Sequence, residues 1–529
     1  MKLLLIGHRG VGKTQLLQRL LVISAQRRRA FKFYDLDREI QEQTALPPSE
    51  WLKKSETEFR EIEKKILDSL RSRNEDSVIA CGAGLDLREL SKARNEKWIW
   101  VRRVSDQRPR YLLDRPRLNP DLSLQKEWEM RFEVRERRYR DFCDLILDLP
   151  EGNLAPNEIE EAILWPGPQS VFAGLSLRTE HWRRDSSWMQ MGYSFYELRD
   201  DIFSLQEIDQ KMRLLPAEKL LLACRQRVQD LSWILRRGEE FRLDWASELG
   251  SPPKALRVAI LSSHGAEPPK GEAMHFKWAP EVLSWDSLWA GLRWQAEDPE
   301  RRSFLPRGSR WIWVRLFLKG RQQIQFVDDG WVGEVSQPRL FEWLATPWIP
   351  PRFGAVLGDP VELSYSPMEH FLFSRERGLP YFRIQCEAGE LQGQWSQLQN
   401  MGCLFASVTS PLKKELVNVG FPTGGDLEPW GAAANTLWSG SSSEICNTDA
   451  PGFFEFIEDQ GPSYFSGRDE PGRVVIWGGG GVLGFVLKAF PQALHFSTRY
   501  SGPLSAGIRA VVWAGSPDAE MPRLERHSL

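Results

Sequence analysis

The chain has 529 residues, with 70 Lys plus Arg against 72 Asp plus Glu and a formal net charge of −2. At roughly 100–200 residues per domain this length implies about three domains. So even a charge balance excludes a general basic surface for nucleic acid or an anionic membrane.

No DNA-binding motif is present, so small molecules are the expected partners, and homo-oligomerisation is left open. Six cysteines, Cys81, Cys143, Cys224, Cys386, Cys403 and Cys446, lie far apart without CxxC or Cys/His spacing. That pattern argues against a disulfide framework or a zinc site and for buried thiols in a reducing cytoplasm. The N-terminal run MKLLLIG is a strand long and leads straight into a glycine loop, unlike a secretion signal or a membrane span. No later stretch reaches ~18 uninterrupted apolar residues. The 23 tryptophans are read as packing.

Residues 1–150 alternate short apolar runs, KLLLIG, KFYDLD, SVIACG, KWIWVR and DLILDL, with helical patterns. This is the signature of a parallel sheet covered by helices. Between the first run and the helix QLLQRLLVI stands Gly7-His8-Arg9-Gly10-Val11-Gly12-Lys13-Thr14, which fits G-x-x-x-x-G-K-[ST]. In such a loop, Gly10, Val11 and Gly12 present backbone N–H groups to phosphates. Lys13 reaches the β- and γ-phosphates, and the Thr14 hydroxyl ligates Mg²⁺. The loop therefore implies ATP with Mg²⁺.

Asp35-Leu36-Asp37-Arg38 ends the second run, Phe59-Arg60-Glu61-Ile62-Glu63 follows on a helix, and Cys81-Gly82-Ala83-Gly84 follows the third run. With Arg115-Pro116 and a late R-x-x-x-Y carried by Arg135 and Tyr139, residues 1–150 resemble shikimate kinase. The resemblance implies that Asp37 contacts and activates the attacking hydroxyl and that Arg60 and Arg135 hold the substrate carboxylate. It also implies that Gly82 and Ala83 line the substrate, that Asp35 helps position Mg²⁺ and that Arg115 closes over ATP. Phosphoryl transfer agrees, since it depends on positioning and charge neutralisation. One residue departs from the family: Ala83 stands where it has the middle glycine of GGG, which puts shikimate specificity in question.

After the loop EGNLAPNEIEEAILWPGPQS, residues 171–347 hold eight strand-like runs: VFAGLSL, YSFYELR, KLLLAC, RLDWAS, RVAILSS, MHFKWA, RWIWVRL and QIQFVD. Eight parallel strands suggest a (β/α)8 barrel. A parallel crossover needs about a dozen residues and usually a helix. The links ELGSPPKAL, GAEPPKGEA and KGRQQ are too short, so the sequence predicts a barrel stripped of some helices. Glu197 and Arg199 end the second run, Arg225 the third and His264 the fifth, and Lys277 lies on the sixth. Strand C-termini converge on one mouth, where a buried lysine beside a histidine equips Schiff-base chemistry and proton abstraction. This set resembles type I 3-dehydroquinate dehydratase over about residues 170–345. The resemblance implies Lys277 as the imine-forming amine, His264 as general acid/base, and Glu197, Arg199, Arg225 and Gln337 as substrate ligands.

A proline-rich boundary at TPWIPPRF precedes GDPVELSYSPMEHFLF, SVTSPLKKEL, AANTLW and CNTDAPGF, which in that order resemble the substrate lobe of shikimate dehydrogenase. The resemblance implies Ser364 and Ser366 on the substrate carboxylate, Thr409 and Asn435 on its hydroxyls, and Lys413 with Asp449 as the catalytic pair. RVVIWGGGGVLGFVL then gives a strand, a glycine loop at Gly478, Gly480 and Gly481, and a helix start, a dinucleotide phosphate signal. Arg499 stands where the family would meet the 2′-phosphate of NADP(H). One more strand-like run, AVVWAG, follows, so a truncated Rossmann lobe is expected.

The whole is expected to be α/β: a P-loop kinase domain over 1–165, a shortened (β/α)8-type barrel over 166–348, and a shikimate dehydrogenase-like two-lobe α/β region over 349–529 with its substrate lobe to about 460. The order matches the C-terminal three domains of the fungal pentafunctional AROM polypeptide. Two functions fit it. One is a multifunctional cytoplasmic shikimate-pathway enzyme of aromatic amino acid biosynthesis. The other is a non-catalytic metabolite sensor like the fungal quinate repressor, which resembles the same three domains.

Overall fold

The computed structural model describes residues 1–26, 31–93, 95–103, 121–148, 171–182, 193–226, 231–237, 240–330, 336–361, 364, 366, 377–418, 420–423, 433–440, 443–464, 474–477, 482–496 and 510–513. The chain divides into two compact units, Met1–Ile349 and Pro350–Leu529.

In the first unit the five N-terminal apolar runs form strands β1 (Lys2–Ile6), β2 (Lys32–Asp35), β3 (Ser77–Ala80), β4 (Glu96–Arg102) and β5 (Leu145–Asp148). They make one parallel sheet in the order β2-β3-β1-β4-β5, so β1 is central and its C-terminal end opens into the glycine loop. Burial on both faces explains why the inner strands β1 and β3 show no alternation, whereas the edge strand β2 is only half-buried. One face packs Leu3, Leu5 and Val101 against Leu16, Leu17 and Leu20 of helix α1 (Lys13–Gln26). The other packs Leu4, Ile6, Trp98 and Trp100 against helices α2 (Leu36–Thr44) and α4 (Glu56–Ser72), with α3 (Pro48–Lys54) between those two in the chain, and against Tyr139 of α5 (Leu124–Phe142). Ser55 and Ser123 cap α4 and α5 by accepting from Glu58 N and Lys126 N.

The same unit holds a second, curled parallel sheet of β6 (Gly174–Ser176), β7 (Phe195–Arg199), β8 (Leu220–Cys224), β9 (Arg242–Ala246), β10 (Ile260–Ser263), β11 (His275–Trp278) and β12 (Arg302–Phe304), paired in chain order. The eighth segment closes back on the first. Gly174 bridges Phe326, with Gly174 N donating to Gln325 O at 2.8 Å and Val327 N to Gly174 O at 3.1 Å.

One expected strand is not a strand. RWIWVRL forms a 3-10 turn, Ser309–Trp311, and a helix, Ile312–Phe317, and the seventh strand is Arg302–Phe304 instead. Trp311, Trp313, Val314, Leu316 and Phe317 are all buried, and Arg315 spends its guanidinium on the Leu305 and Pro306 carbonyls. A short run buried over most of its length carries too little periodicity to separate strand from helix. KGRQQ therefore links that helix to the closing segment, not one strand to another.

The stripped connections are as expected: a single 3-10 turn, Ser247–Leu249, lies between β9 and β10, and no helix lies between β10 and β11. Loops tied to outward tryptophans take the helices' place. Trp245 Nε1 donates to Gly250 O at 2.9 Å and Trp278 Nε1 to Gly265 O at 3.1 Å.

In the second unit β13 (Phe353–Gly358), β14 (Tyr381–Gln385), β15 (Cys403–Val408), β16 (Thr436–Ser439) and β17 (Ser443–Cys446) form a sheet ordered β14-β13-β15-β16-β17. Its last two pairings are antiparallel. A three-stranded parallel sheet, β19-β18-β20, follows, from β18 (Val474–Trp477), β19 (Leu494–Phe496) and β20 (Ala510–Trp513).

All six cysteines are free thiols; five are buried and Cys446 is half-buried. No described helix is long and apolar enough to cross a membrane.

Candidate functional sites

The C-terminal ends of β1, β2 and β3 gather the first site. The glycine loop turns at Gly7, Gly10 and Gly12, all with positive φ, and α1 starts at Lys13. Lys13 Nζ donates to Gly7 O at 2.7 Å and to His8 O at 3.0 Å. Thr14 Oγ1 donates to Asp35 Oδ2 at 2.7 Å, so the hydroxyl and the carboxylate expected at Mg²⁺ stand side by side. Asp35 also caps α2, its Oδ1 accepting from Asp37 N at 3.1 Å, which places Asp37 on the first turn.

Arg60 on α4 donates through Nη1 to Glu63 Oε2 at 2.7 Å and through Nη2 to Glu56 Oε1 at 3.3 Å. Glu63 is buried, and burial pushes its carboxyl up, against the pull of Arg60. It belongs to the site but was missed in the sequence. Its spacing of three from Arg60 on a helix was the available signal.

The loop after β3 packs on this pair. A Cβ on Gly82 would lie 2.3 Å from Glu63 Oε1 and 3.5 Å from Asp37 Oδ1, and one on Gly84 would lie 2.2 Å from Arg60 Nη2. A side chain at 82 or 84 would therefore push the Glu63 carboxylate or the Arg60 guanidinium out of its present place. Ala83 is half-buried, and its carbonyl accepts from Tyr139 Oη at 2.6 Å.

Arg135 on α5 is half-buried, and burial, with Arg131 and Arg60 nearby, pushes its guanidinium down. It forms no ion pair among the described residues. A cation so placed favours an anionic ligand. Arg115 lies outside the described residues.

The second site is inside the curled sheet. Parallel register sets Ser262 beside Lys277 and Ile260 beside Asp244. Lys277 is ion-paired to Asp244 and stands 3.6 Å from Glu197 Oε1. Arg225 Nη2 reaches Asp244 Oδ2 at 2.6 Å and Glu197 Oε1 at 3.4 Å, and its Nη1 donates to Ser262 Oγ at 2.8 Å. Ser176 Oγ donates to Glu197 Oε2 at 2.6 Å. All four charged side chains are buried, two of each sign, so the cluster is neutral within itself.

Burial pushes Lys277 down, and Arg225 adds to that; Asp244 and Glu197 pull it back only in part. Burial would raise Glu197, yet Lys277 and Arg225 outweigh it and hold the carboxyl below its usual range. Burial, with Arg225 and Lys277 beside it, lowers His264 to about 4, so the imidazole is neutral near pH 7. Glu248 fixes the loop of His264 by accepting from His264 N at 2.5 Å and Gly265 N at 3.0 Å.

Arg199 is turned to Asp201, at 2.5 Å. Gln337 is half-buried and is not among the hydrogen-bond or ion-pair partners of Lys277 within the described residues. Asp244 and Glu248 were also missed in the sequence. Asp244 had a signal, an acidic residue inside the apolar run RLDWAS.

The third site lies in the second unit. Lys413 Nζ donates to Asp449 Oδ2 at 2.5 Å, and Asn435 Nδ2 to Asp449 Oδ1 at 2.7 Å. Asn435 Oδ1 accepts from Thr448 N at 2.7 Å, which locks the amide orientation. Thr409 packs on Gly358, where a Cβ would lie 2.3 Å from Thr409 Cγ2. Ser364 and Ser366 are joined by Ser366 N donating to Ser364 Oγ at 3.3 Å. The structure thus brings Lys413, Asn435 and Asp449 together, and the two serines together. Gly478, Gly480, Gly481 and Arg499 lie outside the described residues.

Residues 9–163 match the family model of shikimate kinase. Curated relatives include a kinase and a dehydrogenase. A shikimate kinase of Thermodesulfovibrio yellowstonii is 28% identical over 172 residues, covering 31% of this chain and 92% of the relative. A shikimate dehydrogenase (NADP(+)) of Bordetella petrii is 30% identical over 146 residues, covering 27% of this chain and 49% of the relative. The chain thus spans about half the length of that dehydrogenase.

Among solved structures, shikimate kinase of Aquifex aeolicus is 26% identical at a TM-score of 0.25, covering 31% of this chain and 94% of that one. Shikimate 5-dehydrogenase of Thermus thermophilus, with NADP(H) and shikimate, is 24% identical at a TM-score of 0.24, covering 28% and 56%. The polypeptide carries an N-terminal shikimate kinase domain, residues 9–163, and a shikimate dehydrogenase-like region.

Proposed function

We propose that the protein is a multifunctional shikimate-pathway enzyme whose principal activity is ATP-dependent 3-phosphorylation of shikimate. The observation that carries this is the meeting of two charge sets on one sheet edge. Lys13, Thr14 and Asp35 suit a nucleotide phosphate chain, and Arg60 and Arg135 beside Asp37 suit a hydroxylated carboxylate.

The donor set fits Mg²⁺: a hydroxyl and a carboxylate oxygen adjoin at the loop–helix junction. Bound there, Mg²⁺ would neutralise charge on the β- and γ-phosphates. Arg60 and Arg135 would hold the carboxylate, orienting the 3-hydroxyl toward the γ-phosphorus. As the new O–P bond forms and the bond to the ADP bridging oxygen breaks, Asp37 would take the hydroxyl proton. Lys13 would leave the Gly7 and His8 carbonyls to follow the charge onto the leaving phosphate.

For the curled sheet we propose 3-dehydroquinate dehydration. Lys277, with its ammonium depressed, would condense with the ketone and release water. The neutral His264 would then take the proton next to the imine and return it to the departing β-hydroxyl, which leaves as water, and a water molecule would hydrolyse the product imine to free Lys277. For the second unit we propose that Lys413 and Asp449 shuttle the proton of a carbinol–carbonyl exchange, Asn435 fixing Asp449. NADP(H) would be the hydride carrier. A coupled assay of the full chain tests all three, with shikimate plus MgATP, 3-dehydroquinate, and 3-dehydroshikimate plus NADPH offered separately. Shikimate-dependent ADP release is expected. Shikimate binding without ADP release would favour the metabolite-sensing reading.

A further inference from the structure

The phosphate loop meets a second cation besides the half-buried Lys13, and this one is buried. Arg103, one residue past the end of β4, is 6% exposed, and its Nε donates to the carbonyl of Val11 at 2.6 Å. Alternation along a strand puts Val101 and Arg103 on the same sheet face. Val101 packs with Val11 in the core, and Arg103 carries that line past the strand's end onto the loop.

The loop glycines are cut to this fit. A Cβ on Gly7 would lie 2.2 Å from the Val101 carbonyl oxygen, and one on Gly12 would lie 2.5 Å from Arg103 Nη2. Gly12 also has φ +95, which strains any other residue. Two of the motif's glycines therefore admit β4 and Arg103 as well as phosphate.

The two cations differ in what a nucleotide requires of them. Lys13 is bonded to Gly7 O and His8 O, contacts it must break to reach a phosphate. Arg103 holds Val11 O from the sheet side and need not move. We propose that Arg103 is the resident positioning residue of the phosphate loop. By fixing the Val11 carbonyl it aims the following amides of the loop at the β-phosphate of a nucleoside di- or triphosphate, and it keeps them aimed once Lys13 has swung away. This rests on the nucleotide reading above but not on the identity of the phosphate acceptor.

The test is titration of the full chain with MgADP and with AMP, by calorimetry, for the unmutated protein, Arg103→Met and Arg103→Gln, with thermal unfolding of each without ligand. Loss of a charge-assisted hydrogen bond predicts that Kd for MgADP rises about 10-fold in Arg103→Met. AMP, without a β-phosphate, should change less than about 2-fold, a difference that mere destabilisation would not produce. Should Arg103→Met not fold, Arg103→Gln decides by the same comparison. MgADP affinity equal to that of the unmutated chain, or equal losses for AMP and MgADP, overturns the proposal alone. An unmutated chain that binds no MgADP overturns the nucleotide reading and this proposal with it.

Discussion

Lys277 and Asp244 are ion-paired inside the curled sheet, on strands that are second neighbours, and the pair shares its carboxylate with Arg225. Taking away one member strands charge in a dry interior. Asp244→Ala is therefore expected to cost about 3–5 kcal/mol of stability, and Asp244→Asn, which keeps a hydrogen-bond acceptor, less. Urea unfolding followed by tryptophan fluorescence checks the order. An Asp244→Ala chain as stable as the unmutated one would mean that the cluster is solvated.

The depressed Lys277 ammonium leads to a chemical prediction. Borohydride added with 3-dehydroquinate should reduce an imine and leave substrate mass on the Lys277 peptide, absent in Lys277→Met. An adduct on a different lysine, by mass spectrometry, would refute the assignment.

His264 sets the acid limb of that reaction and a stability window. Its folded pKa of about 4 lies below the ordinary value of 6.5, so below pH 6.5 the unfolded chain binds a proton that the folded chain does not. Its contribution is fully present above about pH 6.5 and is lost as pH falls through about 4. For the unmutated chain, kcat/KM for dehydration should hold between those values and fall near pH 4. A fall centred near pH 6.5 would place the imidazole in water.

In the kinase domain Lys13→Ala and Asp37→Asn are each expected to lower shikimate-dependent ADP release by about 10²–10³, the usual effect of removing one preorganised charge contact. Melting temperature should change far less than turnover, because Lys13 is only half-buried and Asp37 is exposed. Undiminished turnover in Lys13→Ala would defeat the assignment of the loop.

Asn435→Ala frees one Asp449 oxygen and leaves the Lys413 bond intact. We expect kcat for NADPH-dependent reduction of 3-dehydroshikimate to drop ~10-fold, and Lys413→Ala to drop it ~10²-fold or more. Steady-state NADPH oxidation reads both. Equal effects would mean that Asn435 acts on the reacting atoms and not through Asp449.

The sequence by itself determined what is local in the chain. Residues 7–14 lie within one turn, and a phosphate loop needs nothing from elsewhere to be legible. The inner strands β1 and β3 were equally plain, because a strand buried on both faces is apolar without interruption. The lost crossover helices followed from link lengths alone.

Tertiary structure decided everything that depends on neighbours distant in the chain. The helix in RWIWVRL was illegible because burial of nearly the whole run erases the periodicity that separates helix from strand. Asp244 met Lys277 only because β10 lies between their strands in parallel register. Glu63 met Gly82 only because α4 crosses the end of β3. Arg103 met Val11 only because β1 and β4 are adjacent, although 92 residues of chain separate the two. A motif records the spacing of residues along the chain. The electrostatics of a buried site follow from distances across the sheet, and those are set by strand order and register.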